Sequence, residues 1–370
     1  MILTTCAACA APLAHDAPRC VRCKTRYCDS TCQHDHWRRG HKQICKKIHR
    51  GGNAEQYHAD QKYKEAVAVA VEACADDTKG QTCFICTEAL HWKTKESLVR
   101  GCACRGTAGF AHVSCLAEQA NILMDETEEN SLGFKVQNER WGRWYTCSLC
   151  EQRHHGVVQC ALGWACWKTY GGRPEKDELR RKAINILGNG LFDANRHEDA
   201  LSVRTAESSM ERRLGAPEEN IFAVMGNLAI TYGQIGRSEE ALALKREALA
   251  DAKRLYGSYH ADTINSTNNV ANSLTDLGRY EEVKPLMRDN ILACRSSLGD
   301  DHIYMFLARA SLAEAVLQGG DCPEAVAILE DVCRRSRRVL GEPHPEYKIY
   351  RNNLEVAKAD LACARAPEGA

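Results

Sequence analysis

Sixteen cysteine and histidine side chains in the first 150 residues fall into eight close pairs. The first four are Cys6-x2-Cys9, Cys20-x2-Cys23, Cys28-x3-Cys32 and His41-x3-Cys45. After a gap come Cys83-x2-Cys86, Cys102-x-Cys104, His112-x2-Cys115 and Cys147-x2-Cys150. Two thiolates two or three residues apart, or two ligands one helical turn apart, reach a single metal ion without strain. Thiolate and imidazole donors in fours select tetrahedral zinc. Sixteen ligands fill four such sites, so four structural zinc ions are expected. No serine, cysteine or carboxylate constellation with a nucleophile and its base is apparent, so no self-contained catalytic site is expected.

The remaining cysteines do not extend this pattern. Of 21 in the chain, 17 precede residue 170, and Cys294, Cys322, Cys333 and Cys363 are scattered through the rest. His154, His155, Cys160 and Cys166 lack paired spacing and are not expected to bind metal. No apolar run reaches the eighteen residues of a membrane span, and MILTTCAACA lacks the basic start of a secretory signal. An intracellular protein, cytoplasmic or nuclear, is therefore expected, with its thiols reduced. Residues 1 to 50 carry ten Lys plus Arg against three Asp. Thiolate-rich zinc centres are themselves anionic and neutralise part of this charge. With no recognition helix or aromatic-basic interleaving, nucleic acid is not the expected partner.

Residues 6 to 45, ending in CDSTCQHDHWRRGHKQIC, resemble a MYND-type zinc finger. The resemblance implies interleaved sites, with Cys6, Cys9, Cys28 and Cys32 on one ion and Cys20, Cys23, His41 and Cys45 on the other. It also implies a docking module for short peptides, with Gln33 and Trp37 at the groove. His34 and His36 are then left as a surface residue and a packing neighbour of Trp37. Residues 83 to 150, with GCACRGTAGFAHVSCL, resemble the RING-CH variant of the C4HC3 fingers. That implies Cys83, Cys86, His112 and Cys115 on one ion, and Cys102, Cys104, Cys147 and Cys150 on the other. Ile85 then stands where RING-type ligases touch a ubiquitin-conjugating enzyme. Two departures weigh against transfer: Gln119 replaces the family's tryptophan, and Glu151 follows the last cysteine where active ligases carry a basic residue. DETEEN, residues 125 to 130, is expected to be a solvated loop.

These modules need positioning elements. Residues 54 to 75 are free of Gly and Pro, and one helix is expected despite valines 67, 69 and 71. Trp141, Trp144, Trp164 and Trp167 are expected to pack the second finger on the domain C-terminal to it. From residue 179 a 42-residue period appears, carried by glycines 215, 257, 299 and 341 and by His260, His302 and His344. Asn185, Asn227, Asn269 and Asn353 share that period, with Ser311 in the remaining slot. A fixed period of this length means stacked helix pairs. With NNVANSLTDLGRYEEV and RSSLGDDH, the unit resembles the tetratricopeptide variant of kinesin light chains. The resemblance implies a groove for extended peptides. Asn227, Asn269 and Asn353 would either grip a peptide backbone there or bridge adjacent helices. The repeat histidines are expected to pack loops.

The expected architecture is multidomain: two small zinc-stabilised cross-brace fingers followed by an all-α tetratricopeptide solenoid. Its parts are a first finger at 1–50, a helical linker at 51–78, a second finger with an aromatic extension at 79–170, and the repeats at 171–370. The expected function is a zinc-binding protein–protein interaction scaffold. A ubiquitin ligase, with Ile85 recruiting the conjugating enzyme and the repeats choosing the substrate, is the alternative.

Overall fold

The computed structural model describes residues 6–11, 13 and 16–365. Among these, fifteen α-helices and three isolated antiparallel bridges account for most of the regular structure. No described helix is long and apolar enough to cross a membrane. The chain divides into two compact units, Met1–Val224 and Met225–Ala370.

In the first unit, α1 (Ser30–His36) begins under an Asp29 cap whose carboxylate accepts from the Cys32 N–H, and α2 (Lys42–Arg50) follows a π-turn over Trp37–His41. The linker is α3 (Ala54–Ala73), capped by Asn53, with Val67 buried along it, so the valines do not break the helix. α4 (Val113–Glu129) and α5 (Phe134–Trp141) lie in the segment between His112 and Cys147. The expected loop at 125–130 is instead the last turn of α4 and its cap. Met124 and Thr127 are buried there, and Arg140 of α5 donates to the Leu123 carbonyl and to Glu126, so tertiary packing overrides the local charge density.

The core of this unit is α6 (Gly156–Tyr170), buried at eleven of its fifteen positions, Trp164 and Trp167 included. It packs against α3, α4 and α7 (Glu178–Asp193), and α7 pairs with α8 (His197–Arg213). The α6–α7 crossing is closed by two glycines. A Cβ on Gly163 would meet the Leu187 Cα at 3.1 Å, and one on Gly190 would meet the Gln159 carbonyl oxygen at 2.6 Å. Trp141 and Trp144 pack around Tyr170 at 5.4 and 5.8 Å. The aromatic segment thus joins the second finger to the first repeat helix.

Beyond α9 (Glu218–Gln234), the second unit stacks α10 (Ser238–Tyr256), α11 (Ala261–Asp276), α12 (Tyr280–Ser297), α13 (Ile303–Gln318), α14 (Cys322–Leu340) and α15 (Pro345–Arg365), each packed on the next. The first helices α11, α13 and α15 also contact one another in series. Ala271 and Ala313 are fully buried where helices approach. Gly257, Gly299 and Gly341 hold φ between 80 and 88°, which explains why the period keeps glycine there. The repeat histidines have a sharper role than loop packing. Nδ1 of His260, His302 and His344 accepts the N–H two residues on, capping the helix that begins there.

Candidate metal centres and partner surfaces

Each CxxC pair sits on the same local turn. The amide two residues after the first cysteine donates to its sulfur at 3.4 Å in Cys6, Cys83 and Cys147. The amide four residues on then closes the turn on the backbone carbonyl of the first cysteine, from Ala10, Lys24, Thr87 and Glu151 at 2.8 to 3.0 Å. Those four closing residues all lie in the left-handed region, with φ of 61, 62, 66 and 55°. None is glycine, so each turn stores backbone strain of about 1 kcal/mol. Glu151 is thereby explained: its carboxylate accepts two bonds from Arg143, which also donates to the Cys147 carbonyl, and the pair braces the last knuckle.

The turns bring the sixteen side chains together in four tetrads. These are Cys6, Cys9, Cys28, Cys32; Cys20, Cys23, His41, Cys45; Cys83, Cys86, His112, Cys115; and Cys102, Cys104, Cys147, Cys150. Within each, the donor atoms lie within 4.8 Å of one another. A zinc tetrahedron with bonds of about 2.3 Å to sulfur has S···S edges of about 3.8 Å and S···N edges of about 3.5 Å. Cys9–Cys28, Cys20–Cys45 and Cys104–Cys147 sulfurs lie 3.5, 3.7 and 3.8 Å apart. The His41 Nε2–Cys23 distance is 3.3 Å, and His112 Nδ1 lies 3.4 and 3.5 Å from Cys86 and Cys115. The donor sets therefore fit zinc.

Protonation agrees. Burial pushes the Cys6 thiol up, but amides of Ala8, Cys9 and Cys28 overcome it and bring the thiol down to about 6. Cys28, whose own thiol donates to the Cys9 sulfur, is pushed up to about 11. Thiols in contact cannot all ionise unless a cation joins them. Burial lowers both His41 and His112, keeping the imidazoles neutral as ligation requires. The His112 Nε2–H donates to the Ala89 carbonyl at 3.4 Å, which leaves Nδ1 for the tetrad. His36, expected as a neighbour of Trp37, stacks on His41 at 4.9 Å and bonds the Tyr27 hydroxyl at 2.9 Å, so it orients a ligand.

Trp37 lies 5.8 Å from the His41 ring and stays 38% exposed, while Gln33 is half-buried. Ile85 is half-buried and lines a groove of about 340 Å³ with His91, Trp92, Gln119, Ile122 and Leu123. Trp92 is 66% exposed. An aromatic thus stands by Gln119 after all, delivered from the loop before Cys102 rather than from α4. Sequence reasoning missed it because nothing in LHWKT marks which finger face that loop covers. In the array, Asn269 is exposed and its side chain makes no hydrogen bond among the described residues, whereas its neighbour Asn268 donates to the Tyr304 carbonyl and accepts from Asn290. Bridging therefore falls to Asn268. Asn227 and Asn353 are half-buried on their helices.

Family models match these regions. The MYND finger matches residues 6–45, the RING-variant domain 83–132, and the tetratricopeptide repeat 220–289 and 262–338. The chain combines a MYND finger, a RING-variant domain and tetratricopeptide repeats. A search of curated proteins found no match. Among solved structures, a Podosopora anserina kinesin light chain with nearly identical TPR-like repeats is similar at 20% identity and a TM-score of 0.43, covering 52% of this chain and 89% of that one. A variant form of that protein gives 18% identity and a TM-score of 0.44, covering 62% and 99%. The yeast Sti1 TPR2AB domain, solved as a pHSP90 complex, gives 11% and 0.23, covering 66% and 99%. The repeat architecture here rests on the family match and on the helix pairs themselves.

Proposed function

We propose that this protein is a scaffold in which the MYND finger docks a peptide at Gln33 and Trp37 and the repeat array holds a second, extended segment over Asn227, Asn269 and Asn353. Zinc at the sixteen tetrad residues keeps both fingers rigid. The observation that carries this reading is Trp37, held against a ligand ring yet more than a third exposed. A rigid, half-exposed aromatic is the side chain that anchors interfaces. Trp37→Ala should leave four zinc ions in place and weaken peptide binding by about 2 kcal/mol, close to thirtyfold. Unchanged affinity with the fold preserved would remove the groove.

The groove beside Ile85 supports a second reading, a ubiquitin ligase that receives its conjugating enzyme there. Trp92 and Ile122 give the face an apolar area that Gln119 alone does not. Ubiquitin transfer by the wild type, lost on Ile85→Ala with zinc content and melting unchanged, is the outcome that selects this reading. In the scaffold reading Ile85 packs on the finger core, and the same change costs about 2 to 5 kcal/mol of stability.

A further inference from the structure

The MYND finger carries more positive charge than its metal centres neutralise. Ten Lys and Arg against three Asp give 10 − 3 = +7 over residues 1 to 50. Zinc with four thiolates contributes about −2, and with three thiolates and an imidazole about −1, so about +4 remains. Much of this charge sits on one short stretch: Arg38, Arg39, Lys42, Lys46, Lys47 and Arg50 are all exposed, and no acidic residue intervenes between Asp35 and Glu55. Arg39 meets Asp35 at 3.7 Å, and among the described residues the other five have no carboxylate partner.

The last-turn cations Lys47 and Arg50 suit the helix C-terminus, but the rest of the stretch does not favour the helix. Lys42, Lys46 and Arg50 follow one another at i,i+4 along α2, which makes two like-charge pairs and no opposite one. No acidic residue occupies the first turn of α2, where Lys42 stands. Two apolar side chains near these cations are exposed as well: Trp37, on the His41 ring, is 38% exposed, and Ile44, on the flank of α2 next to Lys47, is 44% exposed. Cations without partners beside exposed apolar side chains complement an anionic chain that carries an apolar residue.

We infer that the exposed face of α2, with Trp37 and Ile44, binds an acidic protein segment in which a few Asp or Glu residues adjoin an apolar anchor. The inference rests on the MYND docking reading and specifies the charge of its partner. Nine helical residues span about 13 Å, which is the length of about four extended residues. The recognised segment is therefore short. A nucleic acid or an anionic membrane would use the same cations and Trp37, and it is the docking reading that selects a peptide over either.

The test is a random twelve-residue peptide display library selected on the immobilised, zinc-loaded full chain. It is repeated on Lys46→Glu/Lys47→Glu, on the milder Lys42→Gln/Arg50→Gln and on Trp37→Ala, each checked for four zinc ions. Peptides that bind the wild type but not either charge variant should be enriched in Asp and Glu next to an apolar residue. Their affinity should fall about tenfold or more on charge reversal, and the difference should shrink as salt rises. If neither charge variant loses a peptide class while Trp37→Ala does, the acidic partner is wrong and the docking reading stands. If no variant loses a class, both fall. Binding of polyuridylic acid or phosphatidylserine vesicles that the charge variants abolish, with no peptide class lost, would assign the face to that anion and overturn the proposal.

Discussion

The fingers and the repeats solve the same problem with different materials. In the MYND finger, four of the seven buried residues of the core are cysteines of the two tetrads, joined by Tyr27, Ile48 and Ala54. Its ligands come from positions as far apart as Cys6 and Cys32, and its turns carry left-handed residues that cost free energy. In the second unit one buried cluster of twelve residues is Leu, Val, Met and Ala drawn from neighbouring helices, and the glycine turns carry no strain. A small domain cannot bury enough apolar surface to order its loops, so metal bonds must do it. A stack of helix pairs needs only its neighbours. The difference teaches that metal dependence should stop where helix-on-helix burial takes over. That point does not coincide with the start of the 42-residue period, because α6 and α7 share one core.

Chelation is the strongest way to break this contrast. Removing zinc withdraws on the order of 10 kcal/mol per structural site. Far-ultraviolet circular dichroism should then show α1 to α6 lost, while a 225–370 fragment keeps its helices in chelator. Because Gly163 and Gly190 bind α7 to α6, a 175–370 fragment should show fewer ordered helices than its length allows. Full helicity of that fragment would separate the first repeat from the finger.

Glu207 sharpens the contrast inside the repeats. It sits seven residues after Ala200, where the later repeats place Ala248, Asn290 and Val332 seven after Ala241, Val283 and Ala325. Burial pushes its carboxyl up to about 7, against the usual 4.5. As pH rises through this window the unfolded chain releases the proton first, so the folded state loses stability between about pH 4.5 and 7. The span corresponds to about 3 kcal/mol. Glu207→Gln should flatten that slope in pH-dependent denaturation of the full chain, and an unchanged slope would contradict the assignment.

Paired glycine substitutions come next. Gly190→Ala drives a methyl into the α6 backbone and should cost about 1 to 3 kcal/mol. Gly226→Ala, in α9 with nothing within 4 Å of the added carbon, should stabilise by about 1 kcal/mol. Denaturant midpoints of the two variants moving together would erase the distinction between a packed crossing and an open helix face. The smallest expected effect is at a knuckle: Lys24→Gly relieves a φ of 62° and should raise the melting point by a few degrees at most.

Much of this was legible in sequence because the chemistry is local. Ligand pairs two or three residues apart can do little else, and a 42-residue period in Gly, His and Asn can only stack. The interleaving of Cys6 with Cys32 and of Cys20 with Cys45 came through family resemblance, since spacing within a pair says nothing about its partner. Long-range packing was hidden. The DETEE turn is helical because Arg140 reaches it from α5, and Trp92 comes to line the same groove as Gln119 of α4; no local pattern announces either. Asn268 rather than Asn269 bridges the helices, a choice of helix face that one residue decides.

The central claim is that four tetrads of fourteen thiolates and two imidazoles organise the fingers. Zinc K-edge absorption of the metal-loaded chain, with total zinc counted by mass spectrometry, tests it directly. Four ions per chain with an average shell of about 3.5 sulfurs at about 2.3 Å and about 0.5 nitrogen at about 2.0 Å is the predicted result. Two or three ions, or a shell rich in oxygen and nitrogen, would contradict it.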